Sequence, residues 1–420
     1  MNHESLLPRR TVAELLSSRG DGNDSAFDTA AEIVAEVRRG GEPALRALTE
    51  RYDDRSVDQP LILERRELER ERDRLPADQR ALLERVAERI ERFARAQRAA
   101  LVDIEIAVPG GRAGHRALPV SRAGGYVPGG RYPLPSSALM SAIPARVAGV
   151  SEVWLAGPRP SGVTLAAAAI GGADAFVQAG GAQAIAALAY GAGSVPRCDV
   201  VVGPGNRFVA AAKRRVSGDV GIDSIAGPSE LVVVADAHSD PDLVAADLLA
   251  QAEHDPLARP ILVALDVDLV DRVEGAIATR LADLPTAAVA RAALSHGGAL
   301  FCTSLEEAVL VCDTLAPEHL QLSLENASLL APRFRSYGAL FLGEASGEVL
   351  ADYGAGPNHT LPTGGAARHA SGLSVFHFLT LRTWLEIDDR QAATPLAADA
   401  AALARLEGLA AHARAAEARF

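Results

Sequence analysis

Lysine is almost missing from this chain of 420 residues: Lys213 stands alone, and arginine carries the rest of the positive charge. Alanine is abundant as well, so the bias reads as a genome-wide coding preference with no message about function. There is no basic excess either, because 42 Lys and Arg face 54 Asp and Glu, for a net charge of −12. That balance argues against nucleic acid as the main partner, since nothing is left over to neutralise phosphates. Cys198, Cys302 and Cys312 form no CxxC pair, so no disulfide framework or zinc ribbon follows and small core residues are the expectation. No run of about eighteen apolar residues free of glycine and charge occurs, so no membrane span is expected. The N-terminal stretch MNHESLLPRRTVAELLSSRGDGND is charged and lacks the apolar segment of a signal peptide. A cytoplasmic protein is expected.

What is present reads as an α/β protein of two or more domains. Short runs rich in β-branched residues recur: Val153–Leu155, Ala175–Val177, Val200–Val202, Leu231–Val234, Ile261–Val263, Leu300–Cys302 and Leu340–Leu342. Ala/Leu-rich stretches of helical length separate them, and strands apolar on both faces alternating with helices mark parallel sheets. Two Gly/Pro-rich segments, Ala123–Gly130 and Ala226–Ser229, divide the series. The expectation is two Rossmann-like parallel-sheet domains, one inserted in the other. Residues 1–20 form an N-terminal tail, 21–120 and 231–372 a discontinuous α/β domain, 121–230 the inserted domain and 373–420 a helical C-terminal arm. Between Arg65 and Arg98 arginines interleave with glutamates, while Leu82, Val86, Ile90 and Phe93 recur at helical spacing. That is an amphipathic helix with a solvated outer face.

Several motifs can carry chemistry. Gln251-Ala-Glu-His254 places an amide and an imidazole three residues apart, on one face of a helix. Ala316-Pro-Glu318-His319 sets a carboxylate beside an imidazole. The run Val200–Phe208 reads as strand, glycine turn and helix, close to the dinucleotide fingerprint but with Phe208 where the third glycine belongs. Its helix start can receive a phosphate and Asn206 can reach a ribose or amide, or the whole can be a tight turn. Tyr126-Val-Pro-Gly-Gly130 is a similar loop, with Ser136 or Ser137 as helix caps. Asp352 and His359 flank a glycine-rich loop, where Asp352 serves equally well as a turn residue. His412, five positions after Glu407 on a C-terminal helix, reads on its own as a surface residue. The residues alone reach "α/β enzyme, metal-assisted" and close no metal site, because QxxH is common by chance.

The blocks YVPGGRYPLPSSALM, GPGNRFV, AGPSE, DLLAQAEH, APEHL, ADYGAGPNHTLPT and EGLAAH, in this order and spacing across nearly the whole chain, resemble the histidinol dehydrogenase family. The resemblance implies one zinc per subunit on Gln251, His254, Asp352 and His412, and Glu318 and His319 as the acid/base pair. Ser229, His359 and Glu407 join these residues as substrate contacts. Tyr126, Gln183 and Asn206 are implied for NAD+, which places the cofactor on 121–230 and the metal on the discontinuous domain. It further implies a homodimer whose arm, with Glu407 and His412, completes the partner's site. The implied reaction takes L-histidinol through histidinal to L-histidine with two NAD+, the last steps of histidine biosynthesis. Ser224-Ile225 stands where the family usually has Met-Pro, and Ala351 replaces a common glycine.

This ligand set is weaker and richer in oxygen than a thiolate cage, so manganese or cobalt can also occupy it. Rival readings are a paralogue oxidising another small alcohol with the same metal and cofactor, a zinc hydrolase, and a non-catalytic NAD-binding module. Retention of Glu407 and His359, which suit an amine and an imidazole, weighs against the first. The intact Glu318–His319 pair weighs against the last.

Overall fold

The computed structural model describes residues 5–19, 23–56, 58–129, 133–225 and 227–419. Every apolar run singled out in the sequence lies in or overlaps a strand, and these strands build two parallel sheets. The first has the spatial order Ile62–Glu64, Ala175–Val177, Glu152–Ala156, Arg122–Tyr126, Val200–Val202, Gly221–Ile222. Only Ile62–Glu64 runs antiparallel to its neighbour. The second is parallel throughout, in the order Gly298–Phe301, Arg259–Ala264, Glu230–Ala235, His319–Ser323, Ala339–Leu342.

In both sheets the parallel strand earliest in the chain lies centrally, and the winding reverses beside it. That reversal opens a crevice between Arg122–Tyr126 and Val200–Val202, and another between Glu230–Ala235 and His319–Ser323. All six residues of Glu230–Ala235 and of Arg259–Ala264 are buried, as strands covered on both faces must be. Val232, Val234, Ile261 and Val263 fill the core on one face of the second sheet, and Leu231, Val233 and Leu262 the core on the other.

The N-terminal helices do not follow the expected allegiance. The sequence reading joined 21–120 to 231–372, but the helices Asn23–Asp53, Arg65–Arg74 and Ala77–Ala99 pack on the first sheet and its helices. Their apolar stripes decide this. Val34, Val37 and Leu45 share a core with Ile185 and Val209, and Leu83, Val86 and Ile90 share one with Leu139 and Ile143. The buried stripe on Ala77–Ala99 is also turned relative to the expected one, since Leu82 is 53% and Phe93 39% exposed. Residues 5–19 are no loose tail. Leu7 and Leu15 are buried in the cores of the second sheet, and Arg10 donates its N–H to Ala299 O at 2.9 Å.

The C-terminal arm opens with a short 3-10 turn, Val375–Phe378, and continues as a strand rather than a helix. Leu379–Ile387 pairs antiparallel with Gly111–Pro119, which pairs with Ile104–Val108. Ile104, Ile106, Leu118, Leu381 and Leu385 of this small sheet are exposed. The helices Thr394–Leu406 and Ala410–Glu417 follow and pack on each other.

Candidate active site

Glu318 and His319 sit where the chain leaves Ala316, a left-handed residue capping Leu305–Leu315, and enters the strand His319–Ser323. Both are buried. They lie at the amino end of their strand, opposite the end where open α/β sheets usually bind ligands. Both converge on one neighbouring residue. Glu318 Oε2 accepts the Ser229 hydroxyl at 2.5 Å and the Glu230 N–H at 2.9 Å, while His319 Nδ1 lies 3.1 Å from Glu230 O.

A carbonyl only accepts, so Nδ1 carries the proton and Nε2 keeps its lone pair. That Nε2 is buried with no hydrogen-bond partner among the described residues, and Asp352 Oδ1 stands 3.8 Å away. Burial lowers His319 to about 3, which keeps the ring neutral. Burial pushes Glu318 up to about 8, against the hydrogen bonds from Ser229 and Glu230.

Gln251 closes the helix Pro241–Ala252, and His254 lies in the turn beyond it, with its N–H 3.4 Å from Gln251 O. The two were expected on one helical face. Pro256 disfavours helical backbone at Asp255, and the helix ends short of His254. The Gln251 side chain is fully buried, yet neither amide atom has a hydrogen-bond partner among the described residues. Such an orphan costs about 1–3 kcal/mol unless something else satisfies it.

Three residues on from Gln251, His254 joins Glu348 and Asp352 in a group whose ligating atoms lie within 4.8 Å of one another. Glu348 escaped the sequence reading, although its i, i+4 spacing to Asp352 was visible; one wound segment, Glu348–Leu350 running into Ala351–Ala355, carries both. Burial raises Glu348 far above the usual carboxylate range and Asp352 to about 7. Two crowded acids and an imidazole, with the orphan amide three residues before that imidazole, form a donor set suited to a divalent cation. The fourth expected ligand, His412, does not join this group within one chain; it and Glu407 are exposed on the arm. His359 is close by, with Nδ1 3.2 Å from Asp352 O and Nε2 3.5 Å from Ser137 Oγ. Burial lowers it to about 4.

The three residues expected at a dinucleotide all lie at the carboxyl ends of the first sheet. Tyr126 is buried, its hydroxyl accepting the Gly181 N–H at 3.0 Å, and burial pushes it up to about 12. Gln183 donates to Asp53 Oδ2 at 3.3 Å, and the same oxygen accepts the Gly180 N–H at 2.8 Å. Asn206 caps Arg207–Val216, accepting from Phe208 and Val209. Its acceptor is therefore committed, and its amide N–H groups are what it can offer a ligand. Ser136 and Ser137 are not caps, because the helix starts earlier, at Pro135. Gly203 has φ +112, and a Cβ there would lie 2.3 Å from Tyr126 O, so only glycine fits this turn.

The histidinol dehydrogenase family model matches residues 17–420. Histidinol dehydrogenase of Pseudomonas savastanoi pv. phaseolicola is 44% identical over 418 residues, covering 98% of this chain and 93% of that protein. The Chromobacterium violaceum protein of the same name is 46% identical over 405 residues, covering 94% and 93%. The crystal structure of histidinol dehydrogenase from Elizabethkingia anophelis superposes with a TM-score of 0.92 at 29% identity, covering 100% of this chain and 99% of that one. Among the described residues no helix is long and apolar enough to cross a membrane.

Proposed function

Because this chain belongs to the histidinol dehydrogenase family of NAD-dependent oxidoreductases, we propose that it oxidises L-histidinol to L-histidine through bound histidinal, with two NAD+ and one zinc per subunit. Gln251, His254 and Asp352 would hold the metal together with His412 of the partner subunit, and Glu348 adds negative charge beside them. When bound, the metal supplies a template that orients the amino alcohol and its carbinol carbon. NAD+ would lie along Tyr126, Gln183 and Asn206, at the reversal of the first sheet. Ser229, His359 and Glu407 of the partner subunit would complete the substrate pocket. The reaction is expected in the cytoplasm, in a homodimer.

The observation that carries this reading is the neutral Nε2 of His319, buried without a hydrogen-bond partner among the described residues and 3.8 Å from Asp352 Oδ1 of the candidate metal group. Nε2 takes the hydroxyl proton as the carbinol gives up its hydride. Glu318, once ionised, takes a proton from the water that adds to the aldehyde, and the diol then yields the second hydride. A cation in the pocket favours the carboxylate forms of Glu318 and Asp352, which burial alone disfavours.

The test is NADH yield from a limiting amount of histidinol, before and after chelation. Two NADH per histidinol, lost on chelation and restored by zinc, is the expected result. One NADH per histidinol, or indifference to metal removal, overturns it.

A further inference from the structure

Glu230 holds Glu318 through its N–H and His319 through its C=O, so its main chain sets both side chains at once. What holds Glu230 lies behind the site. Its carboxylate takes two hydrogen bonds from Arg19, Nε to Oε1 and Nη2 to Oε2, each 3.1 Å. Arg259 Nη1 adds a third at 2.9 Å. Glu230 and Arg259 are buried. Arg259 in turn is tied to the N-terminal helix Val12–Ser17 and its cap, through Leu15 O and Ser18 Oγ.

A forked guanidinium fixes a carboxylate in orientation as well as position, and here two forks meet one carboxylate. The strand end bearing Glu230 is thereby anchored to a segment more than 200 residues away in sequence. We propose that Glu230, gripped by Arg19 and Arg259, is a positioning residue for the acid/base pair, and that the N-terminal helix is the buttress that fixes the pair's geometry. The proposal rests on Glu318 and His319 being that pair. Loss of the grip lets residue 230 shift, so His319 loses its single tautomer and Glu318 its fixed direction. Neither arginine need touch substrate for this to happen.

Arg19→Met is the informative variant, because Arg19 lies nearer the surface than its partners and its loss leaves Arg259 paired. Its kcat should fall roughly 10-fold, as when the partner behind a reacting group is lost, with both KM values within about twofold. Arg19→Lys should recover part of the loss. Nitrogen-15 spectra of histidine-labelled enzyme, with the His319 signal assigned through His319→Gln, should show one protonated Nδ1 in the parent and averaged nitrogens in Arg19→Met. Glu230→Gln should give the same pattern more strongly. Unchanged kcat and an unchanged His319 signal in Arg19→Met, with only a lower melting temperature, would overturn the proposal. Should His319→Gln keep full activity, the acid/base reading falls, while the nitrogen-15 comparison still decides whether Glu230 orients that ring.

Discussion

Lys213 and Asp223 form an ion pair in the interior and grip Gly203 from both sides: Lys213 Nζ donates to Gly203 O at 2.9 Å, and Asp223 Oδ2 accepts the Gly203 N–H at 2.8 Å. The only lysine of the chain is thus fixed beneath the turn that leads to Asn206. Removing one partner of a buried pair leaves the other charge uncompensated and costs about 3–5 kcal/mol. Lys213→Met should therefore lower the melting temperature and raise KM for NAD+ about 10-fold, through the loosened turn, leaving KM for histidinol nearly unchanged. Lys213→Met/Asp223→Leu should regain stability without regaining NAD+ affinity. Steady-state kinetics with each substrate varied, beside thermal unfolding, checks both; an unaltered KM for NAD+ in the single variant refutes the link.

Glu318 and His319 are adjacent, yet burial drives them apart, the acid up and the base down. Pairs of that kind divide labour. Glu318→Gln keeps an acceptor for Ser229 but cannot take a proton from water, so it should oxidise histidinol once and stall at the aldehyde. Histidine formed from supplied histidinal is the measurement. The rate should fall by about 100-fold or more, and an unimpaired rate removes Glu318 from the hydration step.

Much of this is legible in the sequence. The run Leu231–Val234, apolar at every position, reads as a strand covered on both faces, and it is one; Leu300–Cys302 and Leu340–Leu342 lie at the sheet's two edges and are less covered, with Phe301 exposed. Contacts between distant segments were less legible. Val86 and Ile90 announce a buried face but not which sheet covers it, so the sequence joins 21–120 to 231–372, whereas the helices within 23–99 pack on the first sheet. Glu348 carries no signal in the sequence beyond its spacing to Asp352; only the tertiary fold buries it against His319 Nδ1, at 3.5 Å. Asn206 was read as a ligand contact or a turn, and its oxygen turns out to cap a helix. Local chemistry and site chemistry use the same residue types, and spacing alone does not separate them.

His377 gives a stability test away from the metal cluster. Its Nδ1 accepts the Ser374 N–H at 3.2 Å, closing a reciprocal cap at the start of Val375–Phe378. Burial lowers its pKa, with Lys213 acting in the same direction and Asp223 opposing. A histidine lowered on folding binds fewer protons in the native state than in the unfolded one. Its contribution is therefore intact above its ordinary pKa of about 6.5 and is lost as pH falls below that value. Denaturant unfolding of parent and His377→Gln should show a gap near pH 7.5 that narrows toward about pH 5. A gap that widens on acidification contradicts the assignment.

The arm offers the sharpest test of assembly. His412 and Glu407 are exposed in one chain and stand outside the group formed by His254, Glu348 and Asp352. Ile104, Ile106, Leu381 and Leu385 leave the sheet that bears the arm with an uncovered apolar face, of the kind that marks an interface. If the arm serves the partner's pocket, His412→Asn alone should lose zinc by elemental analysis. Mixing it with Glu318→Gln, neither of which should form histidine by itself, should create heterodimers with one intact site, read as histidine formed. Random reassortment in a two-fold dimer makes half the dimers mixed, and each has one working pocket of two, so activity should return to roughly a quarter of the parent's. An arm folding back on its own pocket predicts no recovery at all, because every subunit would then carry one defect in its only site.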